Sequence, residues 1–306
     1  MSTSWSFERA DGGQLHVHQW SPEGAPRAVM HIAHGLGEHG ARYARLGEAL
    51  AADGFVVYAH DQRGHGLSRQ DEPYGHWSDG DGFEACCGDI RGLLERHTEE
   101  HPGLPRALFG HSAGSMMSQR LLAQAPHLFE ACVLSGTSGP PPPIAALGRG
   151  VVRLEKLRLG LRGESPILRK LSFDDFNRRF RPNRTEADWL SRDEREVDAY
   201  VADPMCGAAG TVGTWLSLLD NLPQLTQPQA VDNIPKDKPI YIFSGGHDPV
   251  GEMGKSVQQL VDLYRATWLT HVTCRLYDGG RHEMLNEINR DEVIADLKTW
   301  LLDRLF

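Results

Sequence analysis

A chain of 306 residues with 40% hydrophobic and 24% charged side chains has ordinary globular composition, enough for a sizeable core and far from disordered or collagen-like chains. Its net charge of -9 argues against non-specific attachment to nucleic acid or anionic membranes, which repel an acidic surface. The start lacks a basic stretch followed by an apolar one, and no run approaches the roughly 20 apolar residues that span a bilayer. The five cysteines are scattered without a C-x-x-C pair, so the expectation is reduced thiols in a cytoplasmic protein.

Residues 5–9 alternate weakly, turn at Asp11-Gly12-Gly13 and alternate again over 15–20, the pattern of an antiparallel hairpin. Continuous apolar runs follow at 28–33, 55–58, 106–109 and 131–134, each suited to a strand covered on both faces. Between them lie helical stretches at 43–52, 83–97 and 113–125. This alternation predicts an α/β fold with a mostly parallel, doubly wound sheet.

Near Ser138 the alternation stops. Four prolines at 140–143 break it, because proline continues neither a helix nor a ladder. Residues 144–225 read as helical without a buried strand, and Pro223, Pro228 and Pro235 punctuate the return to core-like strands at 240–243 and 272–277. A helix over 293–302 closes the chain. The expected organisation is a core formed by 1–137 and 229–306, interrupted by a helical cap over 138–228.

The strongest chemical signal is Gly110-His111-Ser112-Ala113-Gly114, a G-x-S-x-G placed between a predicted strand and a predicted helix. Small flanking residues permit a sharp turn that lifts the serine hydroxyl to the carboxyl end of the sheet. A serine hydroxyl needs a base, and on such a scaffold the partners follow in the order acid, then histidine. Asp248, after the strand at 240–243, and His282, after the last strand, both fall at carboxyl ends of strands. His247, His271 and Asp278 are less well placed rivals. An oxyanion needs backbone donors. The amide of Ala113 is one, and the amide of Leu36 in His34-Gly35-Leu36-Gly37 is the other.

Two glycine-rich segments allow other readings. Gly35, Gly37 and Gly40 spell G-x-G-x-x-G, with Asp61 about 20 residues on, as in a dinucleotide fingerprint. That reading leaves Ser112, Asp248 and His282 unexplained. The loop Asp61-Gln62-Arg63-Gly64-His65-Gly66-Leu67-Ser68 reads as turn geometry with an Asp–Arg network bracing its neighbours.

Together, the His34 to Tyr43 loop, the Asp61 to Ser68 loop, the turn at Ser112 and Gly279-Gly280-Arg281-His282-Glu283 resemble monoacylglycerol lipases and bacterial lysophospholipase-like hydrolases. The resemblance implies the α/β-hydrolase fold with an inserted helical cap. It implies carboxylic-ester hydrolysis with no metal or organic cofactor, and a small-molecule ester or lipid as partner rather than nucleic acid. It makes Ser112 the nucleophile, Asp248 the acid, His282 the base, and Leu36 and Ala113 the oxyanion donors. Ala113 stands where many relatives carry methionine, which keeps the backbone donor and changes the pocket wall.

Within the cap, Val151, Leu154, Leu157 and Leu161 fall on one helical face, beside Arg153, Lys156, Arg158 and Arg162. A basic amphipathic helix can lie on a lipid surface, giving transient membrane contact; the favoured expectation is an apolar face on the core. Trp189, Tyr200, Met205, Trp215, Leu216, Leu218 and Leu219 are candidates for an acyl pocket or for cap core. A serine aminopeptidase-like enzyme of the same fold would use cap acids such as Asp174, Asp175, Asp193, Glu194 and Glu196. A non-catalytic binding protein would have no need of Ser112, Asp248 and His282 in order. Dehalogenases and epoxide hydrolases carry aspartate at the Ser112 position.

Overall fold

The computed structural model describes residues 2–143 and 145–306. The hairpin forms as β1 (Ser2–Glu8) and β2 (Gln14–Trp20), paired antiparallel from Ser2↔Trp20 to Glu8↔Gln14. After it come β3 (Ala28–Ala33), α1 (Ala44–Ala51), β4 (Phe55–His60), α2 (Gly82–Glu100), β5 (Arg106–His111), α3 (Ala113–Gln124) and β6 (Ala131–Ser135). Between β6 and the next strand lie α4 (Ala145–Leu159), α5 (Pro166–Leu171), α6 (Phe173–Arg178), α7 (Glu194–Ala202), α8 (Val212–Leu225) and α9 (Pro228–Asp232). The chain ends with β7 (Ile240–Gly245), α10 (Lys255–Ala266), β8 (Val272–Tyr277) and α11 (Arg290–Leu305).

The eight strands make one sheet in the order β1-β2-β4-β3-β5-β6-β7-β8. β2 joins β4 antiparallel, and β3 through β8 are parallel. β3 to β7 are buried along their whole length, which explains their unbroken apolar runs. Alternate side chains feed two cores. Leu108, Leu134 and Ile242 meet α2, α3 and α10 on one face; Phe109, Val133 and Phe243 meet α1 and α11 on the other. His31 is the polar exception inside β3, held by His97 at 3.1 Å and His60 at 3.1 Å.

α8 ends at Leu225, where the helical reading of 144–225 ends, and Pro223 lies inside its last turns. One expectation about the inserted helices is corrected. The apolar face drawn for residues 151–161 does not turn to the core. Leu154 and Leu157 are 66% and 86% exposed, and α4 buries Val152 and Glu155 instead. Glu155 accepts from Ser165 Oγ at 2.5 Å and is paired with Arg158, while Gly160 at φ 72° stops the helix before Leu161 can join the row. Among the described residues no helix is long and apolar enough to cross a membrane.

Candidate active site

Ser112 stands between the end of β5 and the start of α3 with φ 50° and ψ -118°. A side chain in that region costs of order 1–3 kcal/mol and persists only where the surroundings over-determine it. Here they do. The Ser112 amide donates to Ser135 O at 2.9 Å, and Ser115 Oγ donates to Ser112 O at 2.6 Å. The two flanking glycines cannot carry a side chain. A Cβ at Gly114 would lie 2.1 Å from Ala33 O, and one at Gly110 2.4 Å from Gly114 O.

Asp248 lies just beyond β7 and is fully buried. Its Oδ2 accepts from Ser244 Oγ at 2.7 Å, and its Oδ1 from the Val250 amide at 2.9 Å. Both oxygens sit 3.0 Å from His282 Nδ1. This geometry favours the proton on Nδ1 and leaves Nε2 as the basic nitrogen. Burial alone would depress the imidazole, but Asp248, aided by Glu283 and Glu38, holds it above its ordinary value. Burial likewise pushes the Asp248 carboxyl up, and His282 with the donated hydrogen bonds brings it below the usual range. Ser112 and His282 line one cavity. Neither Ser112 Oγ nor His282 Nε2 has a hydrogen-bond partner among the described residues; such contacts often tighten only when substrate binds.

The loop after β3 is held from below. Glu38 Oε1 accepts from the Gly35 amide at 2.6 Å and from Tyr43 Oη at 2.9 Å. Arg42 joins Glu38, at 3.0 Å, to Glu283, at 2.6 and 2.7 Å. Burial raises both carboxyls, yet Arg42 wins, and Glu283 falls to about 2. Gly37 N donates to His65 Nε2 at 3.3 Å, so the amides on either side of Leu36 are taken. Those of Leu36 and Ala113 donate to nothing among the described residues, which leaves two free donors beside Ser112.

Asp61 serves the fold. It is 1% exposed, and it accepts from the Gly40 amide, the Leu67 amide and His18. Buried among these donors, it does not present its carboxylate to a ribose, which removes support from the dinucleotide fingerprint. Nor does Asp61 pair with Arg63, whose partners are Asp89 and Asp11. The bracing exists as two separate sets of contacts. His247, His271 and Asp278 are exposed at the surface.

The cavity above Ser112 measures about 220 Å³. From the inserted segment, Trp189, Tyr200, Trp215, Leu218 and Leu219 line it, as the acyl-pocket alternative allowed, whereas Met205 and Leu216 do not. Phe173, Phe176 and Leu222 also line it and were missed. Leu222 was legible: Trp215, Leu218, Leu219 and Leu222 keep helical spacing along α8, and Pro223 obscured the last of them. One trio among the described residues, His39, Asp203 and Cys206, has donor atoms within 4.8 Å of one another. None of the three lines this cavity, and burial pushes the Cys206 thiol up, away from the thiolate a metal requires.

Residues 24–289 match the family model described as serine aminopeptidase, S33. The chain belongs to this family of α/β hydrolases. The hydrolase is 30% identical to the monoacylglycerol lipase of Mycolicibacterium smegmatis, over 98% of this chain and 97% of that protein. It is 27% identical to the monoglyceride lipase of Homo sapiens, over 96% and 89%. Among solved structures, a thermostable carboxyl esterase from Bacillus coagulans in complex with glycerol superposes on the hydrolase with a TM-score of 0.90 at 27% identity, covering 100% and 99% of the two chains.

Proposed function

We propose that this hydrolase cleaves carboxylic esters of the monoacylglycerol and lysophospholipid type through a Ser112–His282–Asp248 triad and an acyl-serine intermediate. The observation that carries the reading is the pair of 3.0 Å contacts from Asp248 to His282 Nδ1, in a cavity shared with the strained Ser112. His282 Nε2 takes the Ser112 proton as Oγ bonds to the ester carbonyl carbon, and the oxyanion rests on the Leu36 and Ala113 amides. His282 then gives that proton to the departing alcohol as the ester C–O bond breaks. Water attacks with the same base, and the acyl–serine bond breaks to release the acid. The relatives named for monoacylglycerol, and an apolar cavity walled by Phe173, Phe176 and Trp215, support an acyl chain as the bound group.

On this reading, residues 138–228 act as a cap over a core of 1–137 and 229–306. An aminopeptidase would need a free carboxylate for the substrate amine. Asp193 and Glu196 are instead paired with Arg290 and Arg45, and neither lines the cavity. Glu38 and Glu283, which do line it, share Arg42. The exposed side of α4 supports a transient lipid contact: Leu147, Leu154 and Leu157 project beside exposed Arg153 and Lys156.

The test is hydrolysis of p-nitrophenyl esters from acetate to palmitate, with monoacylglycerols, by wild type and Ser112→Ala. The wild type is expected to turn over both classes with a medium or long acyl optimum, and Ser112→Ala to lose about 10⁴-fold or more. A wild type inert on every ester, or a mutant that keeps its rate, sinks the proposal.

A further inference from the structure

One aromatic side chain from the turn between α6 and α7 reaches the imidazole itself. The indole of Trp189 lies against His282, ring centroids 4.9 Å apart and planes 31° from parallel. Its carbonyl accepts from the His282 amide at 3.4 Å. The indole is 6% exposed and held from behind by Phe173 and Phe176, at 5.5 and 5.2 Å. Asn177 Oδ1 accepts from the Trp189 amide at 3.0 Å, fixing the backbone. Such a clamped ring has little freedom to leave, and more than one contact sets its position.

An indole face carries negative charge density and attracts a cation within about 6 Å of its centroid, tryptophan most strongly of the three aromatics. His282 is a cation only after it has taken the Ser112 proton. The contact is therefore stronger in the transition state than in the resting enzyme, and only such differential contacts speed the chemical step. The other groups facing His282 are accounted for. Asp248 holds Nδ1; Glu283 and Glu38 lie nearby and share Arg42. His111, with its ring 4.7 Å away, is kept neutral at physiological pH because burial and His282 hold it at about 4.

We propose that Trp189 is a positioning residue for the acid–base step: its indole face stabilises the protonated form of His282 and keeps the imidazole aligned on Ser112. This rests on the triad reading above. The inserted segment thus contributes to proton transfer as well as to the acyl cavity.

The experiment compares wild type, Trp189→Leu and Trp189→Phe by the pH dependence of Ser112 labelling with a fluorophosphonate, from pH 5 to 9, and by kcat and KM on one p-nitrophenyl ester. Leucine keeps an apolar wall and removes the π face; phenylalanine restores a weaker face. Labelling requires neutral His282, so loss of a group that favours its charged form moves the acidic limb to lower pH. Trp189→Leu is expected to lower that limb by about 0.5–1 unit and to reduce kcat by about 3–10-fold, with KM changing less. Trp189→Phe is expected to recover about half of both effects. If the leucine variant does not fold, as read by its melting curve, the phenylalanine variant decides between a smaller shift of the same sign and none. An unmoved limb in either folded variant, or an effect confined to KM, overturns the proposal. A wild type that is not labelled at all overturns the triad reading instead, and this proposal with it.

Discussion

The inserted helices divide into two regions that meet the rest of the molecule differently. Residues 187–207 are bonded to both loops of the site. The Glu283 amide donates to Leu190 O at 2.8 Å, and Arg281 reaches the carbonyls of Asp188 and Ser191. Arg192 pairs with Glu287 at 2.9 Å and Asp193 with Arg290 at 2.7 Å. Tyr200 Oη and the Gly207 amide both donate to Gly37 O at 2.9 Å. By contrast, residues 145–171 leave large apolar side chains in solvent, with Leu147 70% and Leu171 60% exposed. Their Val152 and Leu168 pack with Val212 of α8 rather than with the sheet. The segment between β6 and β7 is therefore not uniform. One stretch belongs to the frame that holds His282 and the Leu36 loop, while the other is free to face the surroundings.

The largest expected effect tests the bonded region. Glu287 is fully buried, and it accepts from the Arg192 side chain and from the amides of Arg192, Arg281 and Ile288. Glu287→Ala leaves three amides without their acceptor, while the part-exposed Arg192 guanidinium keeps only Asn289, so unfolding free energy should fall by about 3–5 kcal/mol. Ester turnover should fall with it as the His282 loop loosens. Denaturant melts within 1 kcal/mol of wild type would show that the two regions do not differ as described. A middle effect comes from Tyr200→Phe, which removes the hydroxyl bridge between Gly37 O and the Gly207 amide, at 2.9 and 3.2 Å. Gly207 keeps its direct bond to Gly37 O, so the loss should be only about 0.5–1.5 kcal/mol. Because the bridge steadies the loop carrying Leu36, kcat should drop more than KM rises. A change in KM alone would mean that Tyr200 acts through the cavity it lines and not through the Leu36 loop.

The same division marks what the sequence could reveal. Strands buried on both faces announce themselves as unbroken apolar runs, and β3 begins and ends where that run does. The turn at Ser112 is local, since β5, serine and α3 are contiguous. α10 carries Val257, Leu260, Val261 and Tyr264 at helical spacing and was readable, though passed over between two clearer strands. The order of strands and the contacts of Trp189 are another matter. Trp189 and His282 are 93 positions apart, and Arg42 and Glu283 are 241 apart; no spacing rule joins such partners. α4 failed for a subtler reason. Its leucines do share a face, but periodicity says only that a face exists, not which neighbour covers it, and buried Glu155 reversed the choice.

The smallest expected effect on stability is the one that bears on that exposed region. Leu154→Ser and Leu157→Ser remove apolar surface that the fold already leaves in water, so each should change unfolding free energy by no more than about 0.5 kcal/mol. If α4 rests on lipid, the same substitutions should weaken binding to vesicles of mixed neutral and anionic phospholipid, because each leucine transferred into the acyl boundary contributes about 1.5–3 kcal/mol. The basic side chains beside them should make that binding weaker at high salt. A stability loss of 2 kcal/mol would mean that the leucines are covered in solution by protein. Unchanged vesicle binding in both variants would remove lipid contact from α4 while leaving its solvent exposure intact. Only the combination of near-neutral stability and weakened vesicle binding separates a surface built to meet lipid from a helix face that merely tolerates water.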